Sequence, residues 1–175
     1  MKLKHLLKQG RLTADKIIVI GKPGSGKTYL TEVLKDYFDG IVVHIDNILW
    51  ENPKVPLNNE ELNNKLEIIL HKDNWLIDGT YLKTLSNRIE KASLIFYLDI
   101  SEEVCIQSVI KRKKDEKIIH GCEDYEGFIE YIKKYDIANK PIIENLLLQH
   151  SNKSIIRFTD RKQVDEFIAV LKSNK

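Results

Sequence analysis

The sequence predicts an α/β fold, a parallel sheet of five strands with helices on both faces. Three observations predict it. Short apolar runs recur five times, each followed by a stretch with helical spacing. The runs do not alternate apolar with polar residues, so each strand is expected to be buried on both faces. A glycine-rich segment, Gly21 to Thr28, joins the first run to the first helix.

The elements follow in order. Residues 1–15 ("MKLKHLLKQGRLTAD") are expected as an N-terminal extension with a short amphipathic helix, Leu3, Leu6 and Leu7 inward. Lys16 to Ile20 is the first strand, rich in β-branched residues. Lys27 to Phe38 has helical spacing, with Leu30, Val33, Leu34 and Tyr37 on one face, and Asp39-Gly40 ends it. Ile41 to Ile45 is the second strand, and Pro53 and Pro56 mark a loop. Asn59 to Leu70 reads as a helix with Leu62, Leu66, Ile69 and Leu70 inward. Trp75 to Asp78 is the third strand, followed by a helix over 81–91. Ser93 to Ile100 is the fourth strand, and Ser101 with Glu102 and Glu103 starts a helix running to about Lys117. Residues 125–149 are helical, bent or broken near Pro141. Ser154 to Phe158 is the fifth strand, and 161–171 the closing helix.

The chain of 175 residues is expected to form one domain. A net charge of +2 gives no nucleic-acid footprint, so direct nucleic-acid binding is not expected. Cys105 and Cys122 lack metal-ligand spacing, which fits a reducing compartment. No apolar run approaches the ~18 residues of a membrane span. The N-terminus lacks the apolar core and cleavage site of a secretory signal, so the expected location is cytoplasmic.

The pattern Gly21-x4-Gly26-Lys27-Thr28 is that of a phosphate-binding P-loop. A chance match in a chain of this length is roughly 1 in 200 at ordinary compositions. The strand before it and helix after it make accident rarer still, against the plain alternative of a strand-to-helix turn. Gly21, Gly24 and Gly26, with Ser25, let the backbone amides turn inward around a phosphate. Pro23 stiffens the loop, and Tyr29 continues the helix whose N-terminus adds partial positive charge. Lys27 can reach the β- and γ-phosphates of ATP, and Thr28 can place its hydroxyl on Mg²⁺. A nucleoside triphosphate is therefore the expected ligand.

The base-reading Asn/Thr-Lys-x-Asp motif of GTPases is absent. "NWLIDG" (74–79) lacks the Glu with which motor and AAA-type ATPases activate water. A strand-borne acid without that Glu favours phosphoryl transfer to a small acceptor over hydrolysis.

"GKPGSGKT" (21–28), "HIDNILW" (44–50) and "NWLIDGTYLKTLSNRIEKASLIFYLDI" (74–100) resemble the adenylate-kinase-related P-loop kinases. Among these, the chain is most similar to the DNA topology modulation protein (FlaR-related) group, from Lys16 to about Leu171. The resemblance implies a sheet of strand order 2-3-1-4-5, a nucleotide-monophosphate-kinase-like core, and a lid over 111–124. It implies an acceptor-side region over 46–73, ATP and Mg²⁺ as cofactors, and an unidentified small-molecule acceptor. Asp46 would hold the acceptor hydroxyl or help order Mg²⁺, unless it is merely the N-cap of a helix over 47–50. Asp78 would bind Mg²⁺ as a Walker-B-type acid, unless it only forms an Asp-Gly turn. Arg88 would hold an anionic acceptor or the transferring phosphoryl group, or else be a solvated helix arginine. Arg112, in the basic stretch Lys111 to Lys117, would stabilise charge on the transferring oxygens, or be a solvated helix end. Arg161 would stack on or edge the adenine, or be solvated with Asp160 capping the last helix. His44 and Trp50 flank Asp46, Trp50 as a candidate aromatic wall and His44 more plainly as a strand-end residue. A regulatory nucleotide-binding protein linked to DNA topology, and slow ATP hydrolysis without an acceptor, remain alternatives.

Overall fold

The computed structural model describes residues 6–8, 10–52, 54–114 and 124–173. The first two strands, β1 (Leu7–Lys8) and β2 (Arg11–Leu12), pair antiparallel around a turn at Gly10, whose φ is 73°. This corrects the expected N-terminal helix. The leucine spacing suits a helical face, but Gly10 reverses the chain, and Thr13 N–H returns to the Leu6 carbonyl. Leu6 is buried in the core and Leu7 packs beside it; Leu3 lies outside the described residues.

The main sheet comprises β3 (Lys16–Gly21), β4 (Ile41–His44), β5 (Trp75–Asp78), β6 (Leu94–Leu98) and β7 (Ser154–Phe158). Its order is β4-β5-β3-β6-β7, all parallel, which is 2-3-1-4-5 counted from the first core strand. The central strands β3, β5 and β6 are buried almost throughout, whereas the edge strands β4 and β7 are only partly covered. Burial on both faces was therefore a property of the centre alone.

Alternate residues of the apolar strands serve opposite cores, as the pleat requires. Ile17, Val19, Leu94 and Phe96 face one cluster, covered by α1 (Lys27–Lys35), α5 (Glu102–Lys114) and α8 (Arg161–Ser173). Ile18, Ile20, Ile77 and Ile95 face the other, covered by α3 (Asn59–Leu70), α4 (Leu82–Lys91) and α7 (Lys140–Gln149). The short α2 (Ile45–Leu49) begins at Ile45, the expected last residue of its strand, which ends at His44. α6 (Tyr125–Ala138) and α7 meet at Asn139, with Pro141 in the first turn of α7 where its missing N–H breaks no helical bond. The Asn58 side chain and Glu61 form a reciprocal capping box that fixes the start of α3. Parallel strands of this order leave a crevice at their carboxyl ends, where β3, β4 and β5 deliver Gly21, His44 and Asp78.

Candidate active site

The P-loop leaves β3 at Gly21 and enters α1 at Lys27. Gly24 (φ 80°) and Gly26 (φ 96°) occupy the left-handed region. A Cβ on Gly24 would run into the carbonyl of Cys105, and one on Gly26 into the guanidinium of Arg161. The loop thus lies flat on α5 and under α8. The N-terminus of α1 has no side-chain cap and no acidic residue in its first turn. Its N–H groups are open to an anion. Ser25 is fully buried, and its Oγ has no hydrogen-bond partner in the protein. These features fit a phosphate.

The ammonium of Lys27 folds back to donate to the carbonyls of Gly21 (3.0 Å) and Lys22 (3.2 Å). Although the residue is only partly buried overall, burial of the ammonium is the main influence and lowers its pKa. Asp46 and Asp78 oppose that shift, and Arg112 reinforces it. The fold therefore gathers Lys27, Asp46, Asp78 and Arg112 into one electrostatic neighbourhood. Thr28 and Tyr29 are exposed at the start of α1, while Pro23 is half-buried.

Asp46 is exposed on the first turn of α2, whose N-cap position belongs to His44. Asp78, nearly buried, ends β5 and accepts from His44 Nδ1 at 2.9 Å, with the other ring nitrogen 3.0 Å from Glu32 Oε1. Bonding to Asp78 raises the His44 pKa against the opposing effect of burial, with Glu32 adding to the rise. His44 thus holds Asp78 in place from the strand end. Trp50 is half-buried at the end of α2.

Arg88 is fully buried. Its Nη1 donates to the Gly79 carbonyl (2.6 Å), Nη2 to the Tyr81 carbonyl (3.0 Å) and Nε to Thr84 Oγ1 (3.2 Å). Burial lowers its pKa to about 9. It braces the turn that follows Asp78. Arg161 donates from Nη2 to the Gly24 carbonyl (2.7 Å) and Ser108 Oγ (3.0 Å), while Asp160 caps α8 by accepting from Gln163 N–H. Arg112 is half-buried near the end of α5. Most of the expected lid, including Lys117, lies outside the described residues.

Two site residues carried no sequence signal. Thr80 Oγ1 donates to the Gly21 carbonyl (2.6 Å) and accepts from its N–H (2.9 Å), stitching the β5 turn to the P-loop. Lys22 is buried and pairs with Asp136 on α6. No short-range pattern could have announced partners 59 and 114 residues away.

No protein-family model matches the sequence, and no curated protein sequence matches it. Solved structures do match. The shikimate kinase of Bacteroides thetaiotaomicron aligns with a TM-score of 0.59, at 13% identity, over 92% of this chain and 98% of its own. The shikimate kinase of Acinetobacter baumannii, in complex with shikimate, aligns with a TM-score of 0.57, at 14% identity, over 93% and 96%. The chain has the P-loop fold of these kinases. At such identities the likeness concerns the fold, and nothing in it singles out the DNA topology modulation group. Among the described residues, no helix is long and apolar enough to cross a membrane. No described group of three or more His, Cys, Asp or Glu side chains could hold a metal ion by itself.

Proposed function

We propose that the chain is an ATP-dependent phosphotransferase that phosphorylates a hydroxyl of a small molecule. The observation that carries this reading is the gathering of Lys27, Asp46, Asp78 and Arg112 around an uncapped helix N-terminus. A P-loop with two carboxylates beside its lysine suits transfer to an acceptor. The fold likeness to two kinases supports the same class.

In this reading the amides from Gly21 to Gly26 cradle the donor phosphates. Lys27 exchanges its two carbonyl partners for phosphate oxygens, which restores a favourable environment to its buried charge. Thr28 and Asp78 supply oxygen ligands suited to Mg²⁺, which would take its remaining ligands from phosphate and water. That ion, when bound, neutralises charge on the transferring oxygens. Asp46 orients the acceptor hydroxyl and receives its proton as the new O–P bond forms and the bond to the ADP leaving group breaks. Arg112 stabilises charge on the phosphoryl group. Arg88, through Gly79 and Tyr81, keeps the acid-bearing turn rigid, and Arg161 supports the floor of the P-loop.

ATP as donor and Cys105 as a free thiol fit a cytoplasmic setting. No specific feature of the described residues favours the regulatory alternative linked to DNA topology. ADP release measured with ATP, Mg²⁺ and a panel of nucleosides, nucleotides and small hydroxylated metabolites tests the reading. Acceptor-stimulated, Mg²⁺-dependent turnover is expected. Tight ATP binding without turnover on any acceptor would overturn it.

A further inference from the structure

A carboxylate taken out of water needs donors to hold it. Asp78 is such a group, and among the described residues its one hydrogen bond comes from His44, whose Nδ1 donates to Oδ2 at 2.9 Å. Oδ1 takes no donor from the described residues, so it is the oxygen left for a ligand. His44 and Asp78 are register partners in the parallel ladder of β4 and β5, which sets the two residues side by side. The Asp78 side chain is 4% exposed and that of His44 21%, so this is no loose surface pair.

The imidazole is itself held from its other edge. Glu32 Oε1 lies 3.0 Å from Nε2, and Glu32 is the half-exposed outer member of the series. A planar ring bonded at both nitrogens cannot turn without giving up one partner. Glu32 stands four residues after Thr28 on α1, and residues so spaced share a helix face. The series Glu32–His44–Asp78 therefore runs from the P-loop helix, across the end of β4, to the acid that ends β5. Proteins aim the groups that meet a metal with outer partners of this kind, which bond one oxygen of a carboxylate and leave the other free.

We propose that His44 is a positioning residue that aims Asp78 at Mg²⁺, and that Glu32 acts on Asp78 only through His44. The inference rests on the kinase reading above, in which Asp78 serves that ion. The test measures ATP binding to the full chain by calorimetry, in EDTA and in saturating Mg²⁺. By linkage, the ratio of the two dissociation constants reports how well the ATP complex holds the metal. His44→Ala should lower that ratio by about tenfold or more, the usual effect of losing an outer-shell partner. Its affinity in EDTA should stay within about twofold of wild type, because the ring bonds no part of the P-loop. His44→Asn, whose amide can donate to Asp78 but cannot reach Glu32, should recover most of the ratio. Glu32→Ala should lower the ratio in the wild type and leave it unchanged in His44→Asn, where the link is already cut. Asp78→Asn should lower it in every background. If Asp78→Asn lowers the ratio and His44→Ala does not, the inference falls and the kinase reading stands. The same follows if Glu32→Ala acts equally in both backgrounds, or if His44→Ala weakens binding in EDTA as much as in Mg²⁺. An unchanged ratio in Asp78→Asn overturns the metal role of Asp78 and this inference with it. No ATP binding by the wild-type chain under either condition overturns the kinase reading as well.

Discussion

The ammonium of Lys22 lies 2.6 Å from Asp136 Oδ2, tying the P-loop to α6. The lysine side chain is 2% exposed and the aspartate 39%. Removing the carboxylate strands a buried cation, whereas removing the lysine leaves an acid that can turn to water. Asp136→Asn is therefore expected to destabilise the protein by about 2–3 kcal/mol, and Lys22→Met by about 1 kcal/mol or less. Urea unfolding checks the order, and a reversed order refutes this account of the pair.

Lys27 is bonded to two backbone carbonyls, and burial weighs against its charge. The carbonyls it bonds have other donors, Thr80 for Gly21 and the Ser25 N–H for Lys22. Lys27→Met should therefore raise nucleotide-free stability by about 1 kcal/mol, the sign expected when a buried charge is replaced by an apolar chain of similar size. The same variant should lose the thermal shift that ATP gives the wild type. Lower stability without ATP would contradict the reading.

Gly24 and Gly26 share a left-handed backbone but differ in what a methyl group meets. At Gly24 it meets the Cys105 backbone, which cannot yield; at Gly26 it meets the end of a flexible arginine. Gly24→Ala should cost about 3 kcal/mol or more and Gly26→Ala about 1–2 kcal/mol, by the strain and overpacking each incurs. Thermal denaturation of the two variants side by side reads the difference.

Asp99 follows β6 directly and lies between Lys140 and Arg157. Burial raises its pKa, but bonds from Lys140 and Arg157 outweigh that and leave it below the usual value. A carboxylate depressed on folding gives stability that is full above the unfolded pKa of about 3.9 and is lost as pH falls through the folded value. Asp99→Asn should be less stable than wild type at neutral pH, and the gap should narrow as pH falls below the unfolded value of about 3.9. Unfolding curves across that range would expose a pH-independent gap, which would refute the linkage.

Much of this fold was legible because its signals are local. Asn59–Leu70, Trp75–Asp78 and Ser154–Phe158 begin and end where periodicity put them, since strand and helix periods are fixed by backbone geometry. The P-loop was legible because glycine, lysine and threonine are constrained by conformation. The fate of Arg88 was not, because "TLSNR" on a helix face does not reveal that the turn at Gly79 curls under it. The short hairpin at Leu7 and Leu12 was misread because leucines at helical spacing suit either structure until a glycine reverses the chain. Which acids surround Lys27 follows from strand order, and that order came from resemblance before it was seen in the sheet.

Cys105 gives the molecule a built-in clock. Its thiol is fully buried in α5, its carbonyl lies against Gly24, and burial pushes its pKa up to about 11. A thiol reagent can reach it only when the core packing around α5 opens, so the labelling rate counts those openings. With Cys122 replaced by serine, a single thiol would time how often α5 loosens beside Gly24 and by how much added ATP changes that rate.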